Sequence, residues 1–220
     1  MRSVIIKQTR FLNMKNENKG FSLIELSIVL IIIGLLVAGI TGGASLIKSA
    51  ELRSVMTEAR NYKMAVNAYY TSEDKLPGDG NAAGDNDGKI EHKNATAYEG
   101  LLAWEDLESK SITDFNATAT TGVLTAGSSI PASKYKGSGW AMYYLASNWN
   151  ALLITKNVTN TTTTLVPVGL LTGANADSID TKMDDGVISS GSVRGITTTG
   201  GTCTYSVTDE FCSLAIKIGI

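Results

Sequence analysis

Polar and apolar positions change rhythm along this chain. From Leu26 to Ile47 no residue is charged. A run of about 20 apolar residues is long enough to cross a bilayer as a helix. From Lys48 onward charges return, but Leu52, Val55, Met56, Ala59, Tyr62, Val66, Tyr69 and Tyr70 recur at steps of three and four. That is one apolar stripe, and Glu51, Arg53, Glu58, Arg60 and Lys63 largely fill the rest. No proline interrupts Phe21 to Leu76, and Pro77-Gly78 then ends the pattern. The spacing predicts one helix from Phe21 to about Tyr70, about 75 Å long at 1.5 Å per residue. Its first half has only lipid or other helices to bury against; its second half needs a soluble partner. The expected outline is a handle with a head packed on the amphipathic half. Gly34 and Ala38, and Gly39 and Gly43, have the four-residue spacing that lets membrane helices approach closely. Gly42-Gly43 is the weakest point of the helix, since each glycine costs about 1 kcal/mol against alanine.

Past Pro77 the chain becomes polar and glycine-rich, PGDGNAAGDNDGKIEH. A short helix is predicted in AYEGLLAWEDLESK, with Tyr98, Leu101, Leu102 and Leu107 on one side. From Asn116 onward strand-like runs alternate with turns of Gly, Ser and Thr. GWAMYYLASNWNALLITKN reads as one or two strands with a polar turn near Asn148. At the end Leu214, Ile216, Ile218 and Ile220 alternate with Ser213, Ala215, Lys217 and Gly219, the period of a half-buried strand. The threonine-rich TNTTTT and ATATTGVLTAG read as exposed loops and edge strands. The fold class is α+β: a long N-terminal helix, transmembrane in its first half, packed on a C-terminal antiparallel sheet.

A chain of 220 residues holds one ordinary domain plus an appendage. The net charge of -2 leaves no basic surface of the kind nucleic acid needs, so nucleic acid is not expected as the main partner. Histidine occurs once, at His92, and there is no CxxC and no Gly-rich phosphate loop after a strand. An enzyme is not expected, and no cofactor is required. Cys203 and Cys212 are close enough to close a short loop, and such a pair in an exported domain usually bridges, the alternative being two buried thiols. Calcium enters as an optional ligand. GDNDGKI, Gly84 to Ile90, supplies closely spaced oxygens on a glycine-allowed turn. Asp85, Asp87 and Gly88 match the middle of an EF-hand loop, and Asp79 and Asn81 can add ligands from the preceding turn. Ala83 stands where the first ligand belongs and Asn94 replaces the closing glutamate. Asp184-Asp185-Gly186, a second acidic turn, reads as structural, with a metal site as the lesser alternative.

The N-terminus carries the chemistry. Arg2, Lys7, Arg10, Lys15 and Lys19 stand against Glu17 alone, so this end is held in the cytoplasm. Met1 and Met14 both suit translation starts. The apolar run exceeds a removable signal and lacks a small-x-small cleavage site, so the helix stays in the mature protein. At its mouth sits Glu25. A carboxylate beside such a run is costly, about 3 kcal/mol at mid-bilayer, unless its charge is answered. One reading is a helix-start glutamate favoured by the macrodipole. The other is a cut after Gly20, which frees an α-amine on Phe21 to pair with Glu25 of the same or a neighbouring chain.

These residues resemble a known family. KGFSLIELSIVLIIIGLLVAG is similar to the N-terminus of type IV prepilins and type II secretion pseudopilins: a basic leader ending in Gly20, Phe21 after the cut, Glu25 as its fifth residue, then the apolar helix. The proline many pilins carry near Gly42 is absent. The resemblance implies that a membrane prepilin peptidase cuts after Gly20 and N-methylates Phe21, and that Glu25 aligns an incoming subunit with a neighbour's amine. It implies a leader at 1–20, an assembly helix at 21–47, an amphipathic extension at 48–70 and a head at 71–220. It implies a filament subunit, pilus-like or pseudopilus, that waits as a single-pass protein in the bacterial inner membrane with its head in the periplasm. The filament can extend to the cell surface. Expected partners are the peptidase, other copies and related subunits, the inner-membrane assembly platform and the bilayer. Two rival readings are a low-abundance adhesive tip subunit and an anchored domain that never assembles.

Overall fold

The computed structural model describes residues 20–80, 84–91, 98–118, 123–145, 148–161, 164–167, 169–197, 202–203 and 210–219. The chain divides into two compact units, Met1–Leu46 and Ile47–Ile220. Helix α1 runs Leu23–Glu73. It starts two residues later and ends three residues further on than the apolar stripe predicts. The end is set by Asp74, which takes a left-handed φ of 52° while its N–H donates to the Tyr70 carbonyl at 2.9 Å. A short polar side chain tolerates that conformation better than most.

In the first unit the side chains of α1 are exposed, apart from half-exposed Ser27 and Gly43. Its hydroxyls are answered by the helix itself. Ser27 Oγ donates to the Ile24 carbonyl at 2.8 Å, Thr41 Oγ1 to Val37 at 3.1 Å, and Ser45 Oγ to Gly42 at 2.9 Å. Satisfied hydroxyls can enter an apolar medium without the penalty of a bare donor.

In the second unit Leu52, Val55, Met56, Ala59, Ala65, Val66 and Tyr69 of α1 are buried. Tyr62 is half-buried and Tyr70 is exposed, so Tyr70 falls off the stripe and Ala65 joins it. Helix α2 spans Glu99–Ser109 and buries Leu101, Ala103, Trp104 and Leu107, while Leu102 lies at the margin. The Tyr62 ring meets Trp104 edge-on at 4.9 Å and Trp140 at 6.0 Å. These aromatic contacts join α1, α2 and the sheet. Gly100 is needed where α2 crosses the sheet, because a Cβ there would stand 2.3 Å from the Met142 carbonyl oxygen.

The strands are β1 (Val123–Thr125), β2 (Gly139–Leu145), β3 (Trp149–Thr155), β4 (Asn157–Thr161), β5 (Thr164–Pro167), β6 (Leu171–Thr172), β7 (Val193–Ile196) and β8 (Glu210–Lys217). All pairings between them are antiparallel. One sheet has the order β1-β4-β5; in the other, β2-β3-β8-β6, β7 also pairs with β8. The β2–β3 hairpin turns at Asn148, in a left-handed φ of 65°, where the sequence predicts its polar turn.

Two expectations for the head are corrected. Over residues 212–216 β8 is buried on both faces, not half-buried: Ser213 and Ala215 are as hidden as Leu214 and Ile216, while Lys217 is exposed as the alternation predicts. The strand lies between β3 on one edge and β7 on the other, pairs with β6 nearer its start, and has a helix packed on it, so small residues rather than polar ones fill the second face. That helix is α3, Gly173–Met183, within a region read as strands and turns. Thr172 caps it, its hydroxyl accepting from Asn175 N–H at 3.3 Å. α3 packs on β6, β7 and β8. A disulfide joins Cys203 and Cys212, with Cα atoms 5.8 Å apart and both residues buried. Asn81, His92, Asn94 and Ile220, the leader residues 1–19 and much of the threonine-rich runs lie outside the described residues.

Candidate functional site

At the start of α1 the sequence S-L-I-E, Ser22 to Glu25, builds a capping arrangement. Glu25 Oε2 accepts the Ser22 N–H at 2.8 Å, and the Ser22 hydroxyl accepts the Ile24 N–H at 3.4 Å. A glutamate in the first turn thus satisfies an orphan donor and meets the positive end of the helix dipole. Its carboxylate is held at the backbone nitrogen one residue past Phe21. Phe21 is 89% exposed and Leu23 is 87% exposed, so the segment around the Gly20–Phe21 bond is open. Gly34, Gly39, Gly42 and Gly43 have nothing within 4 Å of where a Cβ would stand, leaving smooth helix surface at those positions. Leu23–Glu73 contains a stretch long and apolar enough to cross a membrane.

The loop after α1 holds the first acidic group. Asp79, Asp85 and Glu99 each bring a carboxylate oxygen within 4.8 Å of the others. Asp79 is buried and serves the loop: Oδ1 accepts Asp87 N–H at 3.1 Å and Oδ2 accepts Gly88 N–H at 2.9 Å. Glu99 Oε2 accepts Glu91 N–H at 2.8 Å. Burial pushes the Glu99 carboxyl upward, and the charges of Asp79 and Asp85 add to that, against the pull of backbone donors. Asp87 is not brought into the group. Its carboxylate pairs with the Lys89 ammonium and accepts Lys89 N–H at 3.0 Å. From β3, Asn150 pins the same loop: its Oδ1 accepts Ile90 N–H at 2.8 Å and its Nδ2 donates to the Gly88 carbonyl at 3.0 Å. Glu99 and Asn150 escape sequence reasoning because they lie on other elements, far from the acidic run.

The second acidic group stands at the end of α3, where Asp180, Asp184 and Asp185 bring carboxylate oxygens within 4.8 Å of one another. The turn at Asp184-Asp185-Gly186 is tightly bonded, with Asp185 Oδ1 accepting Val187 N–H at 2.8 Å and Gly186 at a φ of 76°.

Residues 15–41 match the family model described as the prokaryotic N-terminal methylation motif. This is the prepilin-type cleavage and methylation segment. It lies over the open Gly20–Phe21 bond, the Ser22–Glu25 cap and most of the uncharged stretch. The prepilin-type segment makes this chain similar to type IV pilins and pseudopilins, and it points to a structural protein. No curated protein and no solved structure matches the chain.

Proposed function

We propose that this chain is a filament subunit, of a type IV pilus or a type II secretion pseudopilus, assembled through α1. The carrying observation is the match of residues 15–41 to the methylation motif, at the head of an exposed apolar helix whose hydroxyls are already satisfied. The roles follow from the chemistry of the ends. A prepilin peptidase hydrolyses the Gly20–Phe21 bond, leaving a carboxylate on Gly20 and an amine on Phe21, which is then methylated. The capped Glu25 carboxylate is already next to the new terminus. In a bundle of such helices the amine of Phe21, from the same chain or the next, answers Glu25 out of reach of water. Placement near the helix start makes that pair a register mark.

Breaking one partner of a buried pair costs about 3 kcal/mol or more, a loss of roughly a hundredfold in incorporation. In cells with the peptidase and assembly platform, Glu25→Ala is expected to give a mature protein beginning at methylated Phe21 by intact-mass spectrometry. That protein stays in the membrane fraction and is lost from sheared filaments. Gly20→Ala is expected to keep the basic leader. Filaments of normal yield from Glu25→Ala would remove the pairing, and a wild-type protein purified with residues 1–20 in place would remove the whole reading.

A further inference from the structure

The end of α3 concentrates negative charge beyond what its surroundings answer. Asp184 Oδ2 accepts Val193 N–H at 3.1 Å and also the Ser192 N–H. Asp185 Oδ2 accepts the Ser190 hydroxyl at 2.8 Å. Asp180 differs from both. It is fully buried, and among the described residues no donor reaches either of its carboxylate oxygens. Helix polarity adds to the problem, because the last turn of α3 presents the negative end of the dipole. Bonds from Val187 and Ser190, and then the charge of Arg194, hold the Asp185 carboxyl down, but among the described residues no cation acts on Asp180 in the same way; Lys182 Nζ donates to Ser178 Oγ at 3.2 Å and Arg194 Nε to the Gly191 carbonyl at 3.2 Å. Burial first, then the charges of Asp185, Asp184 and Asp177, push the Asp180 carboxyl up to about 6. A buried charge is retained in proteins when it is paired or bound to a metal. The Asp79 group offers no such vacancy of partners, since Asp79 and Glu99 already accept backbone N–H groups.

We propose that Asp180, Asp184 and Asp185 hold a calcium ion at the junction of α3 and the loop leading to β7. The donor set is all oxygen, which selects a hard cation, and calcium accepts an irregular set of carboxylates completed by carbonyls and water. The ion faces the negative end of α3 and gives Asp180 the partner it lacks. Its structural effect is to fasten the helix to the strand that borders β8: the Ser192 carbonyl in this loop accepts Lys217 N–H from β8 at 2.7 Å. The competing account is that Asp180 is a neutral buried acid.

The test uses the full chain in detergent, stripped with a chelator, then titrated with calcium chloride alone. Calorimetry is expected to show one ion per chain, and at about a hundred times Kd the melting temperature is expected to rise by about 5–10 °C, reversibly on chelation. Asp180→Asn is expected to abolish the calcium shift while Glu99→Gln keeps it. A wild-type melting temperature indifferent to calcium overturns the site. So does a calcium shift that survives in Asp180→Asn, or one lost in Glu99→Gln and kept in Asp180→Asn, which places the ion at the Asp79 group. If Asp180→Asn does not fold, Asp185→Asn is read in its place by the same criteria.

Discussion

Glu58 is the carboxylate of α1 on which the head is hung, and its removal gives a sharp measure of the packing. Its Oε2 accepts the Trp140 indole N–H at 2.8 Å and the Ser133 hydroxyl at 2.6 Å, and its Oε1 accepts Lys134 N–H at 3.1 Å. One side chain thus ties the helix to β2 and to the loop before it. Trp140 is fully buried, so its indole N–H has no water to turn to when Glu58 is cut back. Hydrogen bonds to a charged acceptor are worth about 1.5–3 kcal/mol, and a buried donor left bare costs about 1–3 kcal/mol. Lys134 is exposed and recovers its bond from water, and the Ser133 hydroxyl can rotate. The Trp140 loss therefore dominates, and Glu58→Ala is expected to destabilise the second unit by about 3 kcal/mol. For a unit of this size that lowers the melting temperature by about 6–12 °C. Glu58→Gln keeps an acceptor oxygen without the charge, and about half that drop is expected. Near-UV circular dichroism of the full chain in detergent follows the tryptophans directly through the melt. A Glu58→Ala protein melting within about 2 °C of wild type would refute the claim that this carboxylate fastens α1 to the sheet.

Two further outcomes concern the same unit. Reducing Cys203–Cys212, separated by nine positions, frees a loop whose closure is worth about 3 kcal/mol, so the melting temperature in reductant is expected to fall by about 5–10 °C; an unchanged melt in protein shown to be fully reduced would count against it. Tyr62 and Tyr69 are both pushed up to about 12, by burial first and then by Glu58 for the one and by Asp106 and Glu73 for the other. A folded value raised above the ordinary 10 means stability that is whole below pH 10 and is lost between 10 and 12. Phenolate absorbance is expected to show Tyr62 and Tyr69 titrating late, with one late group removed by Tyr62→Phe, and ionisation of both near 10 would deny the burial.

The long helix was legible because its signals are local. A stripe from Leu52 to Tyr69 at helical spacing, and no proline before Pro77, need no knowledge of what the helix touches. The hairpin turn at Asn148 and the bridge between Cys203 and Cys212 are local in the same way. What the sequence hid depends on neighbours distant in the chain. The alternation at Leu214, Ile216 and Ile218 reads as one wet face, yet β3, β7 and α3 close around the strand and bury Ser213 and Ala215 too. α3 was missed because GANADSIDTKM is short, polar and glycine-led, although Thr172 caps it and Ala176, Ile179 and Met183 mark its inner side.

The missed helix explains why Asp180 was not joined to the acidic turn. Read as a turn, Asp184-Asp185-Gly186 is ordinary: two exposed acids bonding a tight corner, with no reason to look upstream. Read as the end of a helix, the same residues acquire a third member. Asp180 is four positions after Ala176 and next to Ile179, on the side of α3 that meets the sheet, and an acid at an inward helical position is costly wherever it occurs. The N-terminal segment differs in kind. Its chemistry is written in consecutive residues, from the glycine before the cut to the capping glutamate, so the sequence displays it without the fold. A site assembled from Asp180, Asp184 and Asp185 exists only once α3 exists, because the helix carries one carboxylate into the interior and brings the other two back over it.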